Sequence, residues 1–378
     1  MTDLPANVYR IAQREFDAIP GAPWVYWIPG TLRRLFETLP GLGDVAQPRQ
    51  GLATADNFRF LRYWWEVGPR RIAFGCRDAE EARASRRRWF PYMKGGAYRK
   101  WYGNQEHVVN WEHDGQEIQN FYSPGGRLAS RPQNTDYYFR EGVTFSAISS
   151  TGFSVRFMPF GFAFDHGGNC IFPERAHAVL GLLGYLNSSF SHALLRYLNP
   201  TINVFVGDIE RIPLLTQTSD EYWSSTAELA VHNQFLHSTR DETSFDYAVP
   251  WNWDTGPQDL AAAEARLAAL EAQIDDEVYR LYGISDEDRA AIEAELNGLT
   301  IDDSSIDDSS IDDLRLTIDD SETDVGDSEI DNRQSTIVNS PELAVRWISY
   351  AVGVVLGRFT IGDLRLTIDE SKIENPKS

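Results

Sequence analysis

VTFSAISSTGFSVRFMPFGFAFDHGGNCIF, residues 143–172, is a succession of β-branched and aromatic runs broken by Gly, Pro, Asn and Asp. Paired strands with tight connections read this way. The same punctuation extends upstream through HVVNW (107–111), NFYS (120–123) and YYF (137–139), so residues 104–175 predict a twisted sheet or barrel-like β layer. Downstream the period changes. Ala178, Leu182, Tyr185, Leu186, Phe190, Ala193, Leu194 and Tyr197 fall on one face and predict a helix over 176–198. NVFVGDIERIPLL (203–215) reads as a strand-like run, and the polar residues 219–256 as helix followed by loop. PQDLAAAEARLAALEAQIDDEVYRLY (257–282) repeats apolar residues at threes, fours and sevens, stops at Gly283, and predicts a helix that packs on a partner helix or protein.

Towards the start, IPGAPWVYWIPG (19–30) is bracketed by prolines and reads as extended, and TLRRLFETL (31–39) as one short helix capped by Thr31. Gly41, Gly43 and Ala46 spell a GxGxxA fragment, but it follows a helix instead of a strand and reads as a turn. From Ile301 the text becomes IDDSSIDDSSIDD, and Ile301–Asp331 holds 13 acids and one arginine, a composition that buries too little apolar area to order. WISYAVGVVLG (347–357) is far shorter than the roughly 20 residues of a membrane span and predicts a short buried helix. The sum is an α+β chain: a lead (1–15), a mixed domain with a β layer and packed helices (16–215), a helical spacer (216–298), an acidic, largely disordered linker (299–340), and a short apolar helix with a tail (341–378).

With 56 acids against 35 Lys and Arg, the formal charge is −21. Net charge is a global sum, however, and binding is local. Between Arg49 and Asn104 lie 13 Arg and Lys against five acids. Phe58, Phe60, Tyr63, Trp64, Trp65, Trp89, Tyr98 and Trp101 are interleaved with them, the composition for holding phosphates while stacking on or wedging against bases. A solvated cationic face is the alternative, and about half of these rings are expected in the core. Only Cys76 and Cys170 are present, without Cys/His spacing partners, which suggests neither a disulfide framework nor a zinc site and fits a reducing cytoplasm. His166 in DHGGNC pairs with Asp165 as a conceivable base, or with Cys170 as a ligand, but a third ligand is missing and a β-turn at the glycines is simpler.

Several blocks in order resemble one family: GLATADNFRFLRYWWEV (51–67), RWFPYMKGGAYRKWYGN (88–104), VVNWEHDGQEI (108–118), GYLNSSFSHALLRYLNPTINVFVGDIERIPL (184–214) and DDEVYRLYGI (275–284). They are similar to the C-terminal half of adenine-specific DNA methyltransferases of the BREX phage-defence type, relatives of type IIG restriction and modification proteins. The resemblance implies that the domain at 16–215 is a DNA target-recognition domain. Gly51, Thr54, Asn57 and Phe60 carry a G-x-x-T-G-x-N-x-x-F motif in which Ala55 replaces the usual Gly. On this reading Arg86, Arg87, Arg88, Lys94 and Lys100 fix register on phosphates, Asn57, Arg59 or Arg99 are candidates for base edges, and Thr54, Tyr98 and Trp101 complete the candidate DNA-binding residues.

Methyl transfer from S-adenosylmethionine is the activity the resemblance implies. Yet the sequence shows neither a glycine-rich cofactor loop after a strand nor an Asn-Pro-Pro-Tyr loop; the nearest string is Asn199-Pro200-Thr201. The expectation is a specificity portion that binds double-stranded DNA, carries no cofactor, metal or catalytic residue of its own, and acts with a methyltransferase chain holding S-adenosylmethionine. A protein-interaction module for such a partner, or a truncated fragment, are the alternatives.

Overall fold

Two four-stranded sheets form the centre of the computed structural model, which describes residues 12, 19–21, 25–175, 178–215, 224–252, 254–297 and 345–351. The first sheet has the order β1-β8-β5-β6, from β1 (Ala46–Arg49), β8 (Gly168–Pro173), β5 (Gly142–Ser146) and β6 (Val155–Met158), all antiparallel. The second has the order β2-β4-β3-β7, from β2 (Leu61–Tyr63), β4 (His107–Asn110), β3 (Trp89–Met93) and β7 (Ala163–Phe164). Its only parallel pair joins β3 to β7, with Tyr92 opposite Ala163.

Both faces of the first sheet are covered, which is why β5 and β8 are buried along nearly their whole length, while the edge strand β1 alternates. Val143, Phe145, Val155 and Ile171 point to a helical layer. Met158, Cys170 and Phe172 point the other way, into a core shared with Phe90, Tyr92 and Phe164. Residues two apart on a strand share a face, so one strand serves both cores. Each fully buried large aliphatic or aromatic side chain contributes about 1.5–3 kcal/mol.

Helix α1 (Gly30–Thr38) precedes the sheets, and four short helices lie among the strands: α2 (Asn57–Phe60), α3 (Trp64–Val67), α4 (Ala79–Ser85) and α5 (Glu112–Gln119). The helical layer follows as α6 (Val179–Asn187), α7 (Ser189–Leu198), α8 (Val206–Glu210), α9 (Ser224–Ser238), α10 (Gly256–Leu281) and α11 (Asp286–Asn297). The long helix predicted over 257–282 is present as α10 and ends at Gly283, whose φ of +64° suits a residue without Cβ. Its Leu270, Ile274 and Val278 are buried with Leu183, Leu186 and Phe190, so this stripe is used inside the chain's own core. Residues 224–297 thereby share one core with the first sheet.

Several local readings differ from the structure. The helix expected over 176–198 is two helices, because Ser188 takes an extended backbone and its hydroxyl accepts from Ser191 N–H, capping α7. The strand expected at 203–215 contains α8, whose first turn is fixed by Asp208 accepting from Phe205 N–H at 3.0 Å. Around NFYS only the bridge Tyr122–Leu128 forms, and Thr135–Tyr137 is a 3-10 turn. Thr31 lies within α1, and its hydroxyl donates to Asp288 at 2.8 Å instead of capping. Residues 345–351 are helical but superficial: Val345 and Ile348 are each 64% exposed, while the Trp347 indole donates to the Trp251 carbonyl. The acidic linker at 299–340 lies outside the described residues, as does nearly all of the lead at 1–15. Among the described residues no helix is long and apolar enough to cross a membrane.

Candidate nucleic-acid interface

The basic stretch divides into two parts with different fates. In the first, Asp56 caps α2 by accepting from Arg59 N–H at 2.8 Å, and Phe60 is buried against Phe121. Arg59 then points outward and donates twice to Glu117, at 2.8 and 2.9 Å. Asn110 also donates to Glu117, and Arg88 reaches it at 3.7 Å. Arg59 thereby holds the Glu117 carboxyl below the usual range, against the opposing effect of its partial burial. Nearby, Asp78 caps α4 by accepting from the N–H groups of Glu80 and Glu81, and Arg83 at its far end reaches Asp114 at 3.7 Å.

Arg86 ends α4 in the left-handed conformation, with φ +51°, and turns the chain so that Arg87 and Arg88 lead into β3. All three side chains are exposed. Arg87 is steadied by donating to the Arg70 carbonyl, and Arg88 lies over the Trp89 ring at 5.4 Å. Among the described residues, Arg70, Arg71, Arg77, Arg86 and Arg87 make no ion pair. Carboxylates of α5, which a count over 49–104 leaves out, thus offset part of this face but leave an arginine cluster facing solvent.

The second part packs inward. Lys94 ends β3 half-buried. Arg99 reaches Asp241 at 3.9 Å and Lys100 reaches Glu271 at 3.4 Å. Trp101 is fully buried, and its indole donates to Glu271 at 2.6 Å. Tyr98 is also half-buried, and burial pushes its phenol above the usual range. Burial works to lower the Lys100 ammonium, but Tyr98 and Glu271 outweigh it and hold the pKa above the ordinary value. In place of the base-stacking surface expected at Trp101 and the phosphate contact expected at Lys100, these side chains tie the sheets to α10.

No model of a known protein family matches the chain. It is 33% identical over 364 residues to the adenine-specific methyltransferase PglX of Lacticaseibacillus casei (strain Zhang), an alignment covering 94% of this chain and 28% of that protein. It is 32% identical over 239 residues to the adenine-specific methyltransferase BrxX of Escherichia coli O9:H4 (strain HS), covering 62% of this chain and 18% of that one. The chain is homologous to one part of these adenine-specific methyltransferases. It spans little more than a quarter of the PglX relative's length. A solved structure, the type IIL restriction-modification enzyme MmeI in complex with DNA, covers 70% of this chain and 36% of its own at a TM-score of 0.36 and 12% identity. At that likeness neither fold nor partner transfers.

The block that resembles the methyltransferase motif forms a tight loop beside the arginine face. Gly51 is required by packing, since a Cβ there would lie 2.0 Å from the Phe164 carbonyl oxygen. The Thr54 hydroxyl donates to Asn57 Oδ1 at 2.6 Å, which leaves the amide N–H2 as the outward polar end of an exposed Asn57. Ala55 is at φ +60°, where the resembled motif has Gly, so the turn keeps its form and alanine bears the strain. Ala55→Gly is expected to stabilise the fold by about 0.5–1 kcal/mol, the relief of left-handed strain less glycine's greater unfolded entropy. A urea midpoint unchanged or lowered by the substitution would contradict this.

Asp165, His166 and the two following glycines form a turn, the simpler of the readings above. Asp165 is buried and accepts from the Tyr92 hydroxyl at 2.8 Å and Gly167 N–H at 2.6 Å. Its carboxylate lies 3.1 Å from His166 Nδ1. Burial works to raise the Asp165 pKa, but His166 and these donors outweigh it, and the Asp165 bond raises His166. Cys170 faces the second core, its thiol pushed up by burial, and among the described residues no group of three His, Cys, Asp or Glu is placed to hold a metal. One feature of the face escaped sequence reading: Glu117 arrives from α5, outside the basic stretch, and left no signal. Phe58 was among the rings interleaved with the basic residues, and of the two rings in NFRF only Phe60 points inward.

Proposed function

We propose that this chain is the sequence-recognition portion of an adenine-specific DNA methyltransferase system for phage defence or restriction and modification. It binds double-stranded DNA and presents the site, and a catalytic partner holding S-adenosylmethionine transfers the methyl group. The observation that carries this reading is the solvent-facing cluster Arg70, Arg71, Arg86, Arg87 and Arg88 beside the Thr54–Asn57 loop. The guanidinium groups of Arg70, Arg71, Arg86 and Arg87, which make no ion pair among the described residues, are available to phosphates, and the Asn57 amide N–H2 can donate to an acceptor on a base edge. Arg59 and Arg88, steadied by Glu117, fix the register of the face. Lys94 and Arg99 are at most peripheral contacts.

The double variant Arg87→Ala, Arg88→Ala tests it. Affinity for every duplex is expected to fall, and the slope of log K against log salt to flatten by about 2, one phosphate contact for each arginine removed. Unchanged affinity with an unchanged slope removes this face from the interface.

A further inference from the structure

We infer that Phe58 is a wedge by which the arginine face enters the base stack of DNA, an inference that rests on the DNA-binding reading proposed above. Phe58 is 90% exposed, and no other large apolar side chain among the described residues exceeds 64%. An aromatic ring left in water forgoes a stabilisation that most other described Phe side chains obtain, so its position calls for an occupant. The turn that carries the ring is also held where it is. Phe58 sits on α2 between Asn57, bonded to Thr54, and Arg59, bonded to Glu117; Phe60 anchors the same turn in the core. The Arg62 guanidinium lies 5.7 Å from the ring centroid and donates to the Phe58 carbonyl. An apolar ring carried on a fixed turn and flanked by cations fits a polyanion with an apolar interior. Wedge residues in DNA-binding proteins work this way, unstacking a step while neighbouring cations hold the backbone.

The test uses the full chain, a random-sequence 30-base-pair duplex, and the same duplex with one central mismatched pair. The unmodified chain is expected to prefer the mismatched duplex, because its stack is already weakened. Phe58→Ala should lose roughly 5- to 100-fold in affinity, the range for base–aromatic stacking, and should lose that preference. Its salt slope should stay unchanged because no charge is removed, and its thermal midpoint should stay unchanged because the ring is exposed. Phe58→Trp should retain both affinity and preference. If Phe58→Ala binds both duplexes like the unmodified chain while Arg87→Ala, Arg88→Ala binds both more weakly, the wedge is wrong and the DNA-binding face stands. If the unmodified chain binds neither duplex at low salt, both are wrong.

Discussion

Trp101→Ala is expected to lower the free energy of unfolding by about 3–5 kcal/mol, the usual cost of emptying a core site of this size. The ring is fully buried. Trp101 N–H donates to the Val155 carbonyl at 2.9 Å, and its own carbonyl accepts from Phe157 N–H at 2.7 Å, so the residue runs alongside β6. Its indole N–H meets Glu271 of α10, making one side chain the tie between sheet and helix. Trp101→Phe keeps most of the volume but removes that donor from Glu271, and should cost less, about 1–3 kcal/mol. Urea unfolding separates the two variants, and an alanine variant as stable as the original chain would show that the ring is not a core element.

Acidification from pH 7 to 5 should destabilise the fold through His107 and His192. Both are pushed down to about 4, chiefly by burial, with Lys94 adding to the effect at His107, and Arg196 and Lys100 at His192. His192 Nε2 also accepts from Phe153 N–H at 3.4 Å, which only the neutral ring can do. A folded pKa below the unfolded value of about 6.5 means that the unfolded chain takes up protons the folded one refuses. The stability is therefore present above pH 6.5 and is lost as pH falls towards 4, by about 2 kcal/mol for each group at pH 5. His166 works in the opposite sense, since its raised pKa contributes stability below 6.5 that is lost as pH rises. Glu106 and Asp275, raised by burial, also oppose the loss at the acid end. The double variant His107→Gln, His192→Gln should flatten the dependence. A urea midpoint of the original chain that does not move between pH 7 and 5 would count against this assignment.

Elements whose signal is local were legible. Helix α10 follows from its leucine and alanine spacing, and β5, β6 and β8 from their apolar runs. Ser188 illustrates the limit: apolar periodicity continues straight through it, and only the capping geometry divides α6 from α7. Within Arg49–Asn104 the composition was informative, but it could not assign each ring or cation to inside or outside. Trp101 and Phe58 are both aromatic residues next to basic ones, yet one is fully buried and the other 90% exposed. The difference comes from partners far along the chain, Glu271 for Trp101 and Glu117 for the arginine beside Phe58. Motif resemblance singled out the Gly51–Phe60 block, but could not say that Ala55 would keep the left-handed turn.

The first strand of the first sheet pairs with the last, Arg49 against Cys170, and β3 of the second sheet waits for β7. Between β7 and β8 only Asp165–Gly167 intervene, so three residues carry the chain from one sheet to the other. The second sheet cannot close until Phe164 has been made, nor the first until residues near 173, so neither sheet is complete within the arginine stretch. For anyone grafting this surface between relatives, the consequence is that the arginine stretch is not a portable cassette. Residues 46–173 have to be exchanged as one block, with the Glu271 contact at Trp101 retained or rebuilt in the recipient.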